Sequence, residues 1–294
     1  MGVNSGISWT HNTWNPWMGC DKVAPECAHC YIFYQIRKMR SPETGEFRQP
    51  WGEIFRTSEN LWKNPLRWER KAARRGKAVR VFTSSESDFF HQGADEWRPE
   101  AWQIIKDTPH LLYQILTKRP GRIASHLPPD WGSEGYANVW LGVTAASVQS
   151  MVQVDKLRVV PARRRFVSAE PLLEDISQAI NLDGIGWLIT GGESGFSSEY
   201  KWVPGTHFTE EPEGRRVMEL QWARNLQAAC EKAGTIFFFK QVTATRSGKG
   251  ADALGRLYHE YPAASFEWYT KEEFIADFGT KKERERLVQI GGAL

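Results

Sequence analysis

At 294 residues the chain is long enough for one (β/α) barrel or for two ordinary domains. Its 41% apolar and 25% charged residues are those of a globular protein, and 38 Lys and Arg against 35 Asp and Glu give no general electrostatic argument for nucleic acid. No apolar run approaches the ~18 residues of a membrane span, and residues 1–9 lack the basic and apolar regions of a secretory signal, so a cytoplasmic protein is expected.

Short runs rich in β-branched and aromatic residues predict strands at 7–10, 79–84, 111–117, 139–143, 165–169, 187–190 and 235–240. Amphipathic segments between them predict helices at 27–39, 99–106, 147–157 and 217–233. The last carries Leu220, Ala223, Leu226 and Cys230 at helical spacing, with Gly234 as its stop. This alternation predicts an α/β fold, a partial or complete parallel (β/α) barrel of TIM type with six to seven strands, over residues 1–262. Residues 40–78 and 196–216 interrupt the rhythm as polar insertions, the first Arg-rich. A charged helical extension is expected over 263–294, broken at Gly279, with Phe274, Phe278, Leu287 and Ile290 available for docking.

Three of the four cysteines, Cys20, Cys27 and Cys30, fall in a C-x6-C-x2-C loop between the first strand and the first helix. In a reducing compartment such clustering points to metal or redox chemistry rather than disulfides. Three thiolates would leave one iron of a [4Fe–4S] cluster without a protein ligand. The spacing leaves two other readings open: a zinc site completed by His29, and buried thiols with no metal. Cys230 lies on the apolar face of its helix and reads as core.

Polar groups follow strand after strand: Ser84, Ser85, Glu86 and Asp88; Thr117, Lys118 and Arg119; Ser168 and Glu170; Gly191, Gly192, Glu193 and Ser194; Lys240 and Gln241. In parallel barrels the C-terminal strand ends converge on one mouth, where sites form. Gly191-Gly192-Glu193 would let backbone approach a ligand while the carboxylate accepts from an ammonium. Lys118, Arg119 and Lys240 are candidates for a phosphate or carboxylate, and the 67–80 and 163–165 runs for a nucleic-acid backbone. Trp14 and Trp17, beside the cysteines, are candidates for stacking a base, although packing explains them equally well.

Taken together, Thr13-Trp14-Asn15-Pro16-Trp17-Met18-Gly19-Cys20, the Cys27/Cys30 pair with Tyr31, 85–91, 114–120, 140–143, 170–173, 191–195 and 237–241 resemble the phage Gp37/Gp68 family (DUF5131, three-Cys-motif proteins) over residues 7–262. That family resembles a divergent radical S-adenosylmethionine branch, related in pattern to spore photoproduct lyase. The resemblance implies a [4Fe–4S] cluster on Cys20, Cys27 and Cys30, with S-adenosyl-L-methionine on the open iron. It also implies a 5′-deoxyadenosyl radical acting on a nucleic-acid base or nucleotide, in modification or repair. His29 holds the slot where the superfamily places an aromatic residue near the cofactor. Ser85, Glu86, Asp88, Lys118, Glu170, Gly191, Gly192 and Glu193 are the further cofactor candidates, and Trp14, Trp17, Arg119, Lys240 and Gln241 the substrate candidates. An external electron donor and a protein partner are the remaining partners to expect. Two departures stand out: the first cysteine gap is six residues instead of three, and the Gly-Gly-Glu follows a late strand. The alternative is a non-catalytic metal protein, iron–sulfur or zinc, that binds nucleic acid or a partner. An enzyme of another class using the same barrel mouth is a third possibility.

Overall fold

The computed structural model describes residues 5–36, 38–41, 44–46, 48, 52–194, 215–244 and 246–285. In chain order its elements are β1 (Asn12–Trp14), β2 (Trp17–Met18), α1 (Tyr31–Ile36), β3 (Phe55–Arg56), α2 (Glu59–Trp62), α3 (Asn64–Arg75) and β4 (Lys77–Thr83). There follow α4 (Arg98–Lys106), β5 (Leu111–Thr117), β6 (Val139–Thr144), α5 (Val152–Arg158), β7 (Arg164–Ala169) and β8 (Trp187–Gly191). The last are α6 (Leu220–Ala233), β9 (Ile236–Gln241), β10 (Glu267–Trp268) and α7 (Lys271–Phe278).

Seven strands run β1-β4-β5-β6-β7-β8-β9, every neighbouring pair parallel. Among the described residues β1 and β9 stay unpaired with each other, so the sheet is an open half-barrel. The run at 7–10 is not a strand. Thr10 Oγ1 accepts from the Phe82 N–H at 3.0 Å, in place of a backbone carbonyl, and the ladder starts at Asn12 opposite Val81. The other six predicted strands stand within two residues of their expected ends. The stretch read as an Arg-rich insertion contains α2 and α3. As expected, α6 stops at Gly234, whose φ of 69° is left-handed backbone.

Strict alternation sorts each strand's side chains onto two faces. Val79, Val81, Tyr113, Ile115, Leu141, Val167 and Leu188 join Trp68, Trp102, Leu157, Leu226 and Cys230 under the helices. Phe82, Leu112, Trp140, Phe166, Trp187 and Phe238 line the concave face, where Trp9 packs among them. Ring centroids lie 4.5 Å apart for Trp9–Phe82 and 5.6 Å for Trp140–Trp187. This aromatic layer fills the floor of the half-barrel.

The segment after 262 folds back on the sheet edge. β10 pairs in parallel with Lys77 and Ala78 at the start of β4, below β1. Phe274 and Phe278 of α7 are buried beside Tyr269. Leu287 and Ile290 lie outside the described residues. Three of the cations read as contacts to a nucleic-acid backbone serve this docking: Lys71 Nζ donates to Asp277 O at 2.7 Å, Arg75 pairs with Asp277 at 2.8 Å, and Lys77 with Glu273 at 2.7 Å. Arg80 is buried, its guanidinium 3.9 Å from the Tyr261 ring centroid. In the second run Arg163 pairs with Glu134 at 3.1 Å and Arg165 Nη2 donates to Val160 O at 2.7 Å. Among the described residues no helix is long and apolar enough to cross a membrane.

Candidate functional site

The cysteine loop leaves β2 at Gly19, where φ is 100° and an added Cβ would lie 1.9 Å from Glu53 O. Only glycine fits there, so β3 can press against the chain just before Cys20. The predicted helix from 27 begins later. Pro25–Cys27 is a single 3-10 turn, and α1 starts at Tyr31, directly after Cys30. The loop holds itself in shape: Cys30 N donates to Cys27 O at 3.3 Å and Lys22 Nζ to Ala28 O at 3.0 Å.

All four cysteines are free thiols; Cys27 is buried, and Cys20 and Cys30 are half-buried against Ile32 and Ile36. Burial pushes the Cys20 thiol up to about 12, nearby Asp88 adds to this, and Arg119 opposes it. Burial likewise raises Cys30, against the pull of Lys118. Lys118, directly after β5, donates its backbone N–H to Asp88 Oδ2 at 3.0 Å. Burial would lower its pKa, but the neighbouring Cys27, Cys30, Glu26 and Asp88 outweigh burial and raise it. Among the described residues no three His, Cys, Asp or Glu converge as a single-ion site. The donor set is three free thiols on one short loop, with Arg119 Nη1 3.6 Å from Cys20 Sγ.

Several other predicted site residues gather at this rim. Tyr31 Oη donates to Ser85 O, and Ser85 Oγ lies 3.0 Å from Asn15 Nδ2. Asn15 Oδ1 also accepts from the Glu86 N–H at 2.9 Å, so Asn15 shapes the turn after β4. Burial raises the Glu86 carboxyl, and its Oε2 is buried with no hydrogen-bond partner. Glu26 Oε1 accepts from Ala146 N at 3.2 Å while its Oε2 is likewise unpartnered. A hydroxyl at the end of β6, Thr144 Oγ1, is a third such atom. Buried polar atoms without partners are costly; Glu26 lies within the loop that carries the thiols, and Glu86 O accepts from Gly19 N at 3.1 Å just before it.

Other expectations are corrected. Trp14 and Trp17 are 1% and 0% exposed, and their indole N–H groups donate to Trp62 O and Asp88 O, both at 3.2 Å. They are core and present no face to a base. Gly191 and Gly192 admit chain, not ligand: a Cβ on Gly192 would lie 2.3 Å from Thr243 N, and one on Gly191 2.8 Å from Glu170 Oε1. Glu193 is already engaged. His29 Nδ1 donates to its Oε2 at 2.8 Å, and Arg216 donates through its backbone N at 2.9 Å and Nε at 3.0 Å. Burial alone would raise this carboxyl; the His29 and Arg216 bonds outweigh it and hold it at about 2. His29 is thereby turned toward β8. Gln241 is 1% exposed and spends its amide on Gly192 O and Gly248 N. Lys240 pairs with Glu170 at 3.0 Å. Asp88 has no acceptor to spare: Oδ1 takes Phe90 N and Thr117 Oγ1, Oδ2 takes Lys118 N and Arg119 Nη1. Arg119 is held at Cys20 instead of facing a substrate.

Sequence reasoning missed Asn15, Glu26 and Arg216. Asn15 and Glu26 lie inside motifs already noted. Arg216 sits at the end of the stretch read as a loop, and no local signal marks it. Residues 196–214 of that stretch are outside the described residues.

Fold and site define an α/β half-barrel protein with a thiol-bearing loop at the C-terminal rim of its parallel strands. The chain belongs to the family described as "Protein of unknown function (DUF5131)", whose model matches residues 4–264. No curated protein matches it. Among solved structures it is similar to spore photoproduct lyase complexed with dinucleoside spore photoproduct, at 13% identity and TM-score 0.49, over 81% of this chain and 78% of that one. It is also similar to a mutant of that lyase with bound AdoMet and dinucleoside spore photoproduct, at 11% identity, TM-score 0.49 and the same 81% and 78% coverage.

Proposed function

We propose that Cys20, Cys27 and Cys30 hold a [4Fe–4S] cluster and that the protein is a radical S-adenosylmethionine enzyme acting on a nucleic-acid base or nucleotide. What supports this reading is the loop with three free cysteines, Cys20, Cys27 and Cys30, which follows β2 at the rim of a parallel half-barrel, with Arg119 Nη1 3.6 Å from Cys20 Sγ. The donor set fits the group: a cluster is wider than one ion, and its thiolates need neighbouring cations. The sequence resemblance to radical S-adenosylmethionine proteins supports the same assignment and is the basis for the substrate class.

When bound, the cluster and S-adenosylmethionine would supply a 5′-deoxyadenosyl radical for hydrogen abstraction, which is chemistry of the cofactor rather than of side chains. The chain's own residues bind, orient and exclude water. Glu86, whose Oε2 lacks a partner, would accept from the cofactor's ammonium, and Lys118 would hold its carboxylate. Tyr31 and Asn15 fix the Ser85–Glu86 turn that carries Glu86. Lys240 would meet a phosphate only by giving up Glu170. The aromatic floor closes the half-barrel to water from below.

The test is anaerobic reconstitution with iron and sulfide, then dithionite and S-adenosylmethionine. Near four irons per chain and release of 5′-deoxyadenosine are expected. Incubation with oligonucleotides should then change the mass of a base. One zinc per chain with no iron taken up refutes the proposal.

A further inference from the structure

Arg119 is fixed more tightly than a substrate-binding arginine needs to be. Its side chain is 9% exposed and that of Asp88 5%. Nη1 donates to Asp88 Oδ2 at 3.1 Å and to Cys20 Sγ at 3.6 Å, while Nη2 reaches Asp21 O at 3.5 Å. Asp88 is itself fixed, accepting from Thr117 Oγ1 at 2.7 Å, Phe90 N at 2.9 Å and Lys118 N at 3.0 Å. The backbone of Arg119 is tied too, its N donating to Thr117 Oγ1 at 2.8 Å. Asp21, the residue after Cys20, lies 4.0 Å from Arg119 Nη2 and accepts from His91 Nε2 at 2.8 Å. Two strand ends, β4 and β5, thus hold one guanidinium against one sulfur.

We propose that Arg119, locked by Asp88, is a positioning residue that sets the reduction potential of the metal centre through Cys20. This rests on the cluster reading above. A nearly buried positive charge with an N–H bond to a ligand sulfur stabilises the electron added on reduction, because little water screens it. Removing it must make the centre harder to reduce.

The experiment is an anaerobic redox titration of the reconstituted protein, followed by the electron-spin signal of the reduced cluster, with iron content and thermal unfolding measured alongside. Arg119→Gln should disfavour reduction about tenfold, a fall of ~59 mV for a one-electron couple. Arg119→Lys keeps a charge but loses the fork, so its potential should fall less. Arg122→Gln, which removes the same charge from a side chain bound to Asp95 at 2.7 Å and Phe90 O at 2.9 Å, should match wild type. Intact clusters in Arg119→Gln and Arg119→Lys at the wild-type potential overturn the inference and leave the cluster standing. Equal falls in Arg119→Gln and Arg122→Gln overturn it as well, since net charge then explains both. If Arg119→Gln does not fold, Arg119→Lys alone decides. A wild-type protein that takes up no iron overturns the cluster reading, and this one with it.

Discussion

Replacing Glu193 by Gln keeps the shape of the side chain and removes its charge. Glu193 is 6% exposed and Arg216 4%, so the pair is screened little by water. Arg216 gives the carboxylate its backbone N–H, Nε and Nη2, and its Nη1 goes to Pro25 O at 2.9 Å. In the Glu193→Gln variant the guanidinium stays buried with no carboxylate against it. Breaking a buried pair this way costs ~3–5 kcal/mol. The pH dependence gives an independent figure. A carboxyl held at about 2 in place of 4.5 contributes ~3 kcal/mol of stability. Because the folded value is depressed, this stability is complete above about pH 4.5 and is lost as pH falls toward 2. Urea unfolding at pH 7 should show the variant less stable by ~3 kcal/mol or more, and the gap should narrow from pH 5 to pH 3. Since Pro25 and His29 bracket Cys27, iron uptake should fall too. A loss below ~1 kcal/mol, or a gap unchanged down to pH 3, would show that the pair is hydrated and that the reasoning from burial is wrong.

Single Ser replacements of Cys20, Cys27 or Cys30 should each abolish stable iron binding in reconstituted protein, while Cys230→Ala, buried under α6, should keep its iron and lose stability only. Gly142→Ala places a Cβ 2.3 Å from Phe166 Cζ and should cost ~1–3 kcal/mol in urea unfolding, because the aromatic floor has nowhere to move. Trp17→Ala should cost ~3–5 kcal/mol; a weaker nucleotide affinity at unchanged stability would instead restore it to the binding surface. Arg75→Ala removes an exposed partner of Asp277 and should leave the urea midpoint where it is, because water and salt screen such a pair.

Six of seven strands were legible because each is a short apolar run buried on both faces, and such runs have no other stable place. The cysteine loop stands out in the sequence because thiols at that spacing are chemically distinctive. What failed was anything that depends on partners distant in sequence. The run at 7–10 has strand composition, yet Thr10 takes the Phe82 N–H with its hydroxyl, and that competition is invisible locally. Gly191-Gly192-Glu193 has the composition of a ligand loop. Only the approach of Thr243 explains its glycines, and only Arg216 explains its carboxylate. Trp14 and Trp17 read as a stacking pair until the carbonyls of Trp62 and Asp88 claim their N–H groups. Periodicity and thiol chemistry are local properties, so the chain alone carried the parallel α/β plan and the three cysteines. Which polar side chains are already satisfied, and which, like Glu86 Oε2, are left buried without a partner, depends on pairing across the sheet and was decided by tertiary structure alone.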